Sequence, residues 1–273
     1  METYLIVALA SMGGMGLLFA LGLALADKKL AVEEDPKVAQ ATDLLPGLNC
    51  GGCGFPGCRG YAEAVVEGTA SMDKCSPGGP EVIEELAQLL GLEAGEFVKK
   101  VAVVHCQGGH EESPARARYH GPNTCGAATL VQGGFKQCTF GCLGLGDCVT
   151  ACSFNAIVIG PRGIPVVDPD LCTACGACVT ACPRSLIKLH PVDESRLLVL
   201  CNNHDPATVA RKVCKVACIG CGQCVRRDPN EAVTIQNNLA VVNYAKVHGV
   251  HDETVDKCPT DAIKYINLKE KLT

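Results

Sequence analysis

The chain has 273 residues and a formal net charge of -5, an acidic balance that argues against a nucleic-acid binder. It carries 20 cysteines and 30 glycines but no tryptophan and only 4% aromatic residues, so bulky side chains cannot supply most of its cohesion. Bound metal can, because metal-binding free energy is also folding free energy.

Tyr4 to Ala26 is a run of 23 residues without a charge. At about 1.5 Å per residue it is long enough to cross a hydrocarbon core of roughly 30 Å, and 1–26 is expected to be a transmembrane helix. A cleaved signal peptide would need a basic start, whereas Met1, Glu2 and Thr3 carry no positive charge. Lys28 and Lys29 follow the run, so the positive-inside rule puts the soluble part on the cytoplasmic side of the inner membrane. Gly13, Gly14, Gly16 and Gly22 would let a second membrane helix approach closely. Residues 27–45, polar from Ala31 to Gln40, read as a linker.

Residues 46–95 hold Cys50, Cys53, Cys58 and Cys75, threaded with Gly51, Gly52, Gly54 and Gly57. Helices are expected at 59–67 and at 81–90, the second with Val82, Leu86 and Leu89 on one face. This module resembles the small Fe4S domain of redox and corrinoid proteins, and four cysteines without histidine favour a [4Fe-4S] cube over zinc. Residues 96–135 read as a connecting segment with one short strand, Lys99 to His105, ending at Cys106; Cys125 follows.

Residues 136–192 carry the densest signal. Cys172, Cys175, Cys178 and Cys182 before Pro183 follow C-x2-C-x2-C-x3-C-P, the spacing of bacterial ferredoxins, in which the fourth thiolate serves the neighbouring cluster. Two cubes are expected, one on Cys138, Cys142, Cys148 and Cys182, the other on Cys152, Cys172, Cys175 and Cys178. Structural zinc uses paired Cys-x-x-Cys steps across a longer linker, and bunched cysteines make poor disulfides.

Residues 193–273 repeat this region. Lys136-x-Cys138-x3-Cys142-Leu-Gly returns 76 residues on as Lys212-x-Cys214-x3-Cys218-Ile-Gly, and the offset carries Cys148 onto Cys224 and Cys182 onto Cys258. It also carries Cys152, Cys172, Cys175 and Cys178 onto Asp228, His248, His251 and Thr254, so one site is lost. Asp228, His248 and His251 offer side chains that can bind another metal; the plainer reading is an eroded loop held by ordinary packing. Cys218, Cys221, Cys224 and Cys258 remain for one cube, with Cys214 an alternative to Cys221. The leftovers Cys106, Cys125, Cys201 and Cys214 are the number a fifth cube needs, or they are small core residues. The expected architecture is α+β: one membrane helix, a small α-helical Fe4S domain, then tandem ferredoxin-like domains.

With these motifs in place, and with the phrase Gly141-Cys-Leu-Gly-Leu-Gly-Asp-Cys148, the chain resembles the RnfB family over nearly its whole length. These are the iron-sulfur subunits of Rnf complexes, membrane-bound ferredoxin:NAD+ oxidoreductases that translocate Na+ or H+. The resemblance implies a subunit that accepts electrons from reduced ferredoxin and passes them along [4Fe-4S] clusters to membrane and flavin-containing partner subunits. No Gly-x-Gly-x-x-Gly follows a strand and no nucleophile constellation is present, so this chain is expected to transfer electrons only. Arg211, Lys212, Lys215, Arg226 and Arg227 are candidates for docking an acidic ferredoxin. Alternatives are an Rsx-type system that reduces a redox-sensing transcription factor and a corrinoid-linked activator.

Overall fold

The computed structural model describes residues 2–30, 35–95, 97–192, 195–247 and 252–269. Helix α1 (Glu2–Leu30) contains the apolar run, and its window Leu9–Lys29 is long and apolar enough to cross a membrane, with 0% of it buried against the rest of the chain.

A second helix, α2 (Pro36–Leu44), stands inside the stretch 27–45 that composition marks as linker. Asp35 caps it by accepting from the Lys37 amide, and Pro36 occupies its first turn, where no N–H is needed. It packs into the small domain through Ala41 and Leu45, which are buried with Tyr61, Ala62 and Val65 of α3 (Cys58–Val66) and Val82 and Leu86 of α4 (Gly79–Leu90). The expectation of a linker is therefore corrected for 36–44: polar composition hid apolar Val38, Ala41 and Leu45 at helical spacing. Asn49 accepts from the Cys58 amide at 2.9 Å and so fixes the start of α3. The Tyr61 hydroxyl donates to the Ser71 carbonyl at 2.9 Å, and burial pushes its pKa up to about 12.

The remaining elements come in one order twice. First come β1 (Lys100–Val104), α5 (Cys125–Leu130), α6 (Asp147–Thr150), β2 (Ile157–Ile159), β3 (Pro165–Val167), α7 (Ala177–Ala181) and β4 (Ile187–Pro191). Then come β5 (Ser195–Val199), α8 (Ala207–Val213), α9 (Gln223–Arg227), β6 (Val233–Gln236), β7 (Leu239–Val242), α10 (Asp252–Asp256) and β8 (Ile263–Asn267). In each run the outer strands pair antiparallel, β1 with β4 and β5 with β8, and the inner strands form a hairpin, β2 with β3 and β6 with β7. Strand β1, which lies in the segment 96–135, is thus the partner of β4.

Val101, Ala102 and Val103 of β1 share a core with Ile187, Leu198 and Leu268, so the two runs are packed together. His105 Nδ1 bonds the Val199 carbonyl at 2.8 Å and Gln107 donates to the Asp261 carbonyl at 2.6 Å, tying the end of β1 to the second run.

Candidate metal centres

Three short helices carry a cysteine in their second position: Cys148 in α6, Cys178 in α7 and Cys224 in α9. Each follows a glycine in the left-handed region, Gly146, Gly176 or Gly222, where a side chain would be strained. The turn aims the cysteine inward, and all three are buried.

Around these turns the structure opens voids walled by cysteine. Cys152, Cys172, Cys175 and Cys178 line one, and Cys218, Cys221, Cys224 and Cys258 line a second. Cys125, Cys142, Cys148 and Cys182 line a third, and Cys106, Cys138, Cys201 and Cys214 a fourth. In the small domain, Cys53, Cys58 and Cys50 lie close enough to Cys75 for their charge to add to the burial that raises its pKa. Close-packed cores leave few such voids.

Two of these groups differ from the sets expected from spacing, because Cys125 and Cys138 have changed places. The Asp147 carboxylate explains the first move. It accepts from the amides of Cys125 at 2.7 Å and Gly126 at 2.9 Å, clamping the start of α5 onto the start of α6 beside Cys148. Cys138 instead faces the second run, where the Asn203 side chain donates to its sulfur at 3.4 Å. The signal for this was in the repeat, which pairs Cys138 with Cys214. Cys214 stays apart from the void of Cys218, so Cys221 completes that group.

Adjacent groups touch through backbone. The Cys142 amide donates to Cys106 Sγ at 3.3 Å, and its repeat mate, the Cys218 amide, donates to Cys201 Sγ at 3.2 Å. The void of Cys106, Cys138, Cys201 and Cys214 is thus built from two matching halves. At the other end, a Cβ on Gly52 would lie 2.4 Å from the Cys175 carbonyl oxygen, so the small domain rests directly on the loop of Cys175. Cys50 and Cys221 are exposed.

Burial pushes the Cys142, Cys178 and Cys201 thiols up to about 12 and those of Cys148, Cys214 and Cys224 up to about 11, with neighbouring cysteines adding to the rise. Such thiols ionise only when a cation takes the charge.

Where the repeat has lost cysteines, the chain bonds to itself. Asp228 is buried and accepts from the Val233 amide at 2.6 Å and the Asn230 amide at 3.3 Å. Thr254, also buried, donates to the Arg227 carbonyl at 3.2 Å. His248 and His251 lie outside the described residues.

All 20 cysteines are free thiols. Among the described residues no three Cys, His, Asp or Glu side chains converge closely enough to share one metal ion. Four cysteines round each void, with backbone amides pointing at several of the sulfurs, are a donor set that fits an iron-sulfur cluster.

Comparison with known proteins also points to iron-sulfur chemistry. Residues 45–77 match the FeS family of iron-sulfur cluster domains, and residues 137–186 match the 4Fe-4S dicluster domain family. The B component of the Na(+)-translocating ferredoxin:NAD(+) oxidoreductase complex of Acetobacterium woodii is 46% identical over 259 residues, which are 95% of this chain and 77% of that protein. The B component of the proton-translocating ferredoxin:NAD(+) oxidoreductase complex of Clostridium ljungdahlii is 42% identical over 96% of this chain and 92% of its own length. The corresponding component of an ion-translocating oxidoreductase complex of Methanosarcina acetivorans is 39% identical over 97% of this chain and 99% of its own. The chain therefore belongs to the RnfB family, the B components of Rnf-type ion-translocating oxidoreductase complexes.

Proposed function

We propose that this chain is the electron-relay subunit of a membrane-bound, ion-translocating ferredoxin:NAD+ oxidoreductase, and that its 20 cysteines hold five [4Fe-4S] cubes. The observation that carries the reading is the partition of every cysteine into five groups of four, four of them around voids. Bound cubes supply one-electron chemistry; the protein supplies ligands, insulation and local charge.

The repeated element order supports two tandem ferredoxin-like domains, the second with one site closed by Asp228 and Thr254. The contacts between groups support a series. It runs from Cys50, Cys53, Cys58 and Cys75 to Cys152, Cys172, Cys175 and Cys178 through Gly52, and on, through the core that Cys178 and Cys148 share, to Cys125, Cys142, Cys148 and Cys182. The Cys142 and Cys218 amides then link that group through Cys106, Cys138, Cys201 and Cys214 to Cys218, Cys221, Cys224 and Cys258. Reduced ferredoxin docks near exposed Cys221, beside Arg226 and Arg227, and the small domain passes electrons to the partner subunits. Helix α1 anchors the chain in the cytoplasmic membrane with its soluble part on the cytoplasmic side.

The test is metal analysis of anaerobically reconstituted protein together with ferredoxin-driven NAD+ reduction by membranes lacking the chain. About twenty irons per chain, from about four per cube, and loss of NAD+ reduction are expected. Zinc with little iron, or NAD+ reduction that survives, would overturn the reading.

A further inference from the structure

Two cations, Lys136 buried and Arg184 half-buried, lie beside the cysteine groups of the first run. Lys136 is 1% exposed, and its ammonium donates to the carbonyls of Gly108 at 2.7 Å and Cys142 at 3.1 Å. Gly108 lines the void of Cys106, Cys138, Cys201 and Cys214, whereas Cys142 lines that of Cys125, Cys148 and Cys182. The charge therefore stands between the two voids. Among the described residues its hydrogen-bond partners are those two neutral carbonyls, so no carboxylate bonded to it cancels the charge. An ammonium this dry is costly unless negative charge is near. The groups on which it acts are the thiols of Cys106, Cys142 and Cys214, whose burial-driven rise in pKa it opposes.

Arg184 lines the Cys125 void and donates to the carbonyls of Gly141 and Gly133. The guanidinium lies over Gly134, where a Cβ would come within 2.7 Å of Nη2, so the chain leaves room for it there. Burial pulls the pKa of Arg184 down, while Cys138, Cys142, Cys106 and Cys125 hold it up. This second cation faces the same two groups.

The second run has neither. At the offset of 76, Lys136 becomes Lys212, which is exposed, and Arg184 becomes Thr260, whose hydroxyl lies 3.8 Å from Cys258 Sγ.

We propose that Lys136 and Arg184 set redox potential: their positive charges make the groups of Cys106, Cys138, Cys201 and Cys214 and of Cys125, Cys142, Cys148 and Cys182 easier to reduce than the group of Cys218, Cys221, Cys224 and Cys258. The inference rests on cubes occupying those groups. Reduction adds one negative charge to a site, and a cation held in a poorly screened interior stabilises that charge more than water would. One electron given up by the Cys218 group, which is oxidised, reduces the Cys106 group without any proton or bond changing place. Transfer in this direction, inward from the exposed end, is then favoured by the protein's own charges.

The experiment is a redox titration followed by EPR on reconstituted protein, with each signal assigned by Cys→Ala variants. Lys136→Gln and Arg184→Gln remove the charge but keep N–H donors for the carbonyls. Each is expected to lower the reduced-to-oxidised ratio of the two flanked clusters about tenfold at fixed potential, or about 59 mV for a one-electron couple. The Cys258-dependent signal stays in place. Arg184→Lys and Lys136→Arg, which keep the charge, remain near the wild type. Thr260→Arg adds a cation without emptying a buried position and should raise the Cys258-dependent potential, so the idea stays testable if a Gln variant loses iron. Full iron with unmoved potentials, or equal shifts in every cluster, would overturn this inference alone. Low iron in the wild type would strike the cluster reading beneath it.

Discussion

His105 and His190 meet through their Nε2 atoms at 2.9 Å, both buried, with His105 Nδ1 committed to the Val199 carbonyl. His105 therefore carries its proton on Nδ1 and accepts on Nε2, and His190 donates; both rings are neutral. Burial and the neighbouring His105, Arg196 and Lys188 lower the His190 pKa to about 4. Between pH 6.5 and about 4 the unfolded chain binds a proton there that the native chain does not, so stability falls as pH falls through that window and is whole above it. At pH 5.5 the loss is about 1 kcal/mol. Melting temperatures at pH 7.5 and 5.5 should drop less for His190→Gln than for the wild type; equal drops would contradict the pair.

Iron stoichiometry tests the exchange of Cys125 and Cys138. If Cys125 and Cys148 share a cube, Cys125→Ala with Cys148→Ala loses about four irons in total, whereas Cys138→Ala with Cys148→Ala loses about eight. The reverse result would restore the grouping expected from spacing.

Gly52 should not tolerate a side chain, because its Cβ would meet the Cys175 carbonyl oxygen at 2.4 Å. Gly52→Ala is expected to push the small domain off the Cys175 loop at a cost of about 1–3 kcal/mol. Hydrogen exchange should then quicken near Cys175 while the iron content holds. Unchanged exchange would mean that the contact is dispensable.

Asp228→Cys should lower stability by about 1–3 kcal/mol, because the Val233 and Asn230 amides lose their carboxylate. It should gain no iron, since a single cysteine cannot replace the four that the repeat has lost. A gain of about four irons would show that the old site is only dormant.

Reversing Arg226 and Arg227 to Glu should slow reduction by ferredoxin at low salt, mainly in the association rate. Both arginines are exposed at the end of α9, and Arg226 reaches the carbonyl of exposed Cys221. Stopped-flow rates that match the wild type would move the docking face elsewhere.

The legible parts of this chain were those set by short-range spacing. C-x2-C steps wrap a few residues of backbone round one point, so Cys172, Cys175 and Cys178 reveal their partnership locally, and the offset of 76 carries Cys142 and Cys148 onto Cys218 and Cys224. The place of Cys125 depends on a carboxylate 22 residues away, and its number gives no hint of that. The pairing of β1 with β4 joins Val104 to Ile187 across a long separation, which a lone apolar run cannot announce. For α2 the signal was present in Asp35 and Pro36 but outweighed by the polar composition around it.

The two-halved site of Cys106, Cys138, Cys201 and Cys214 has a consequence for biosynthesis. Its halves lie on different repeats, so a nascent chain presents Cys106 and Cys138 long before Cys201 and Cys214 leave the ribosome. Under the proposed ligand sets, the cube of Cys125, Cys142, Cys148 and Cys182 can be loaded on a chain that ends before Cys201, but this one cannot, and the cube beyond it waits for Cys258. A product truncated before Cys201 would carry Cys106 and Cys138 as an open pair of thiols at the end of its wire, cut off from the surface where the electrons enter.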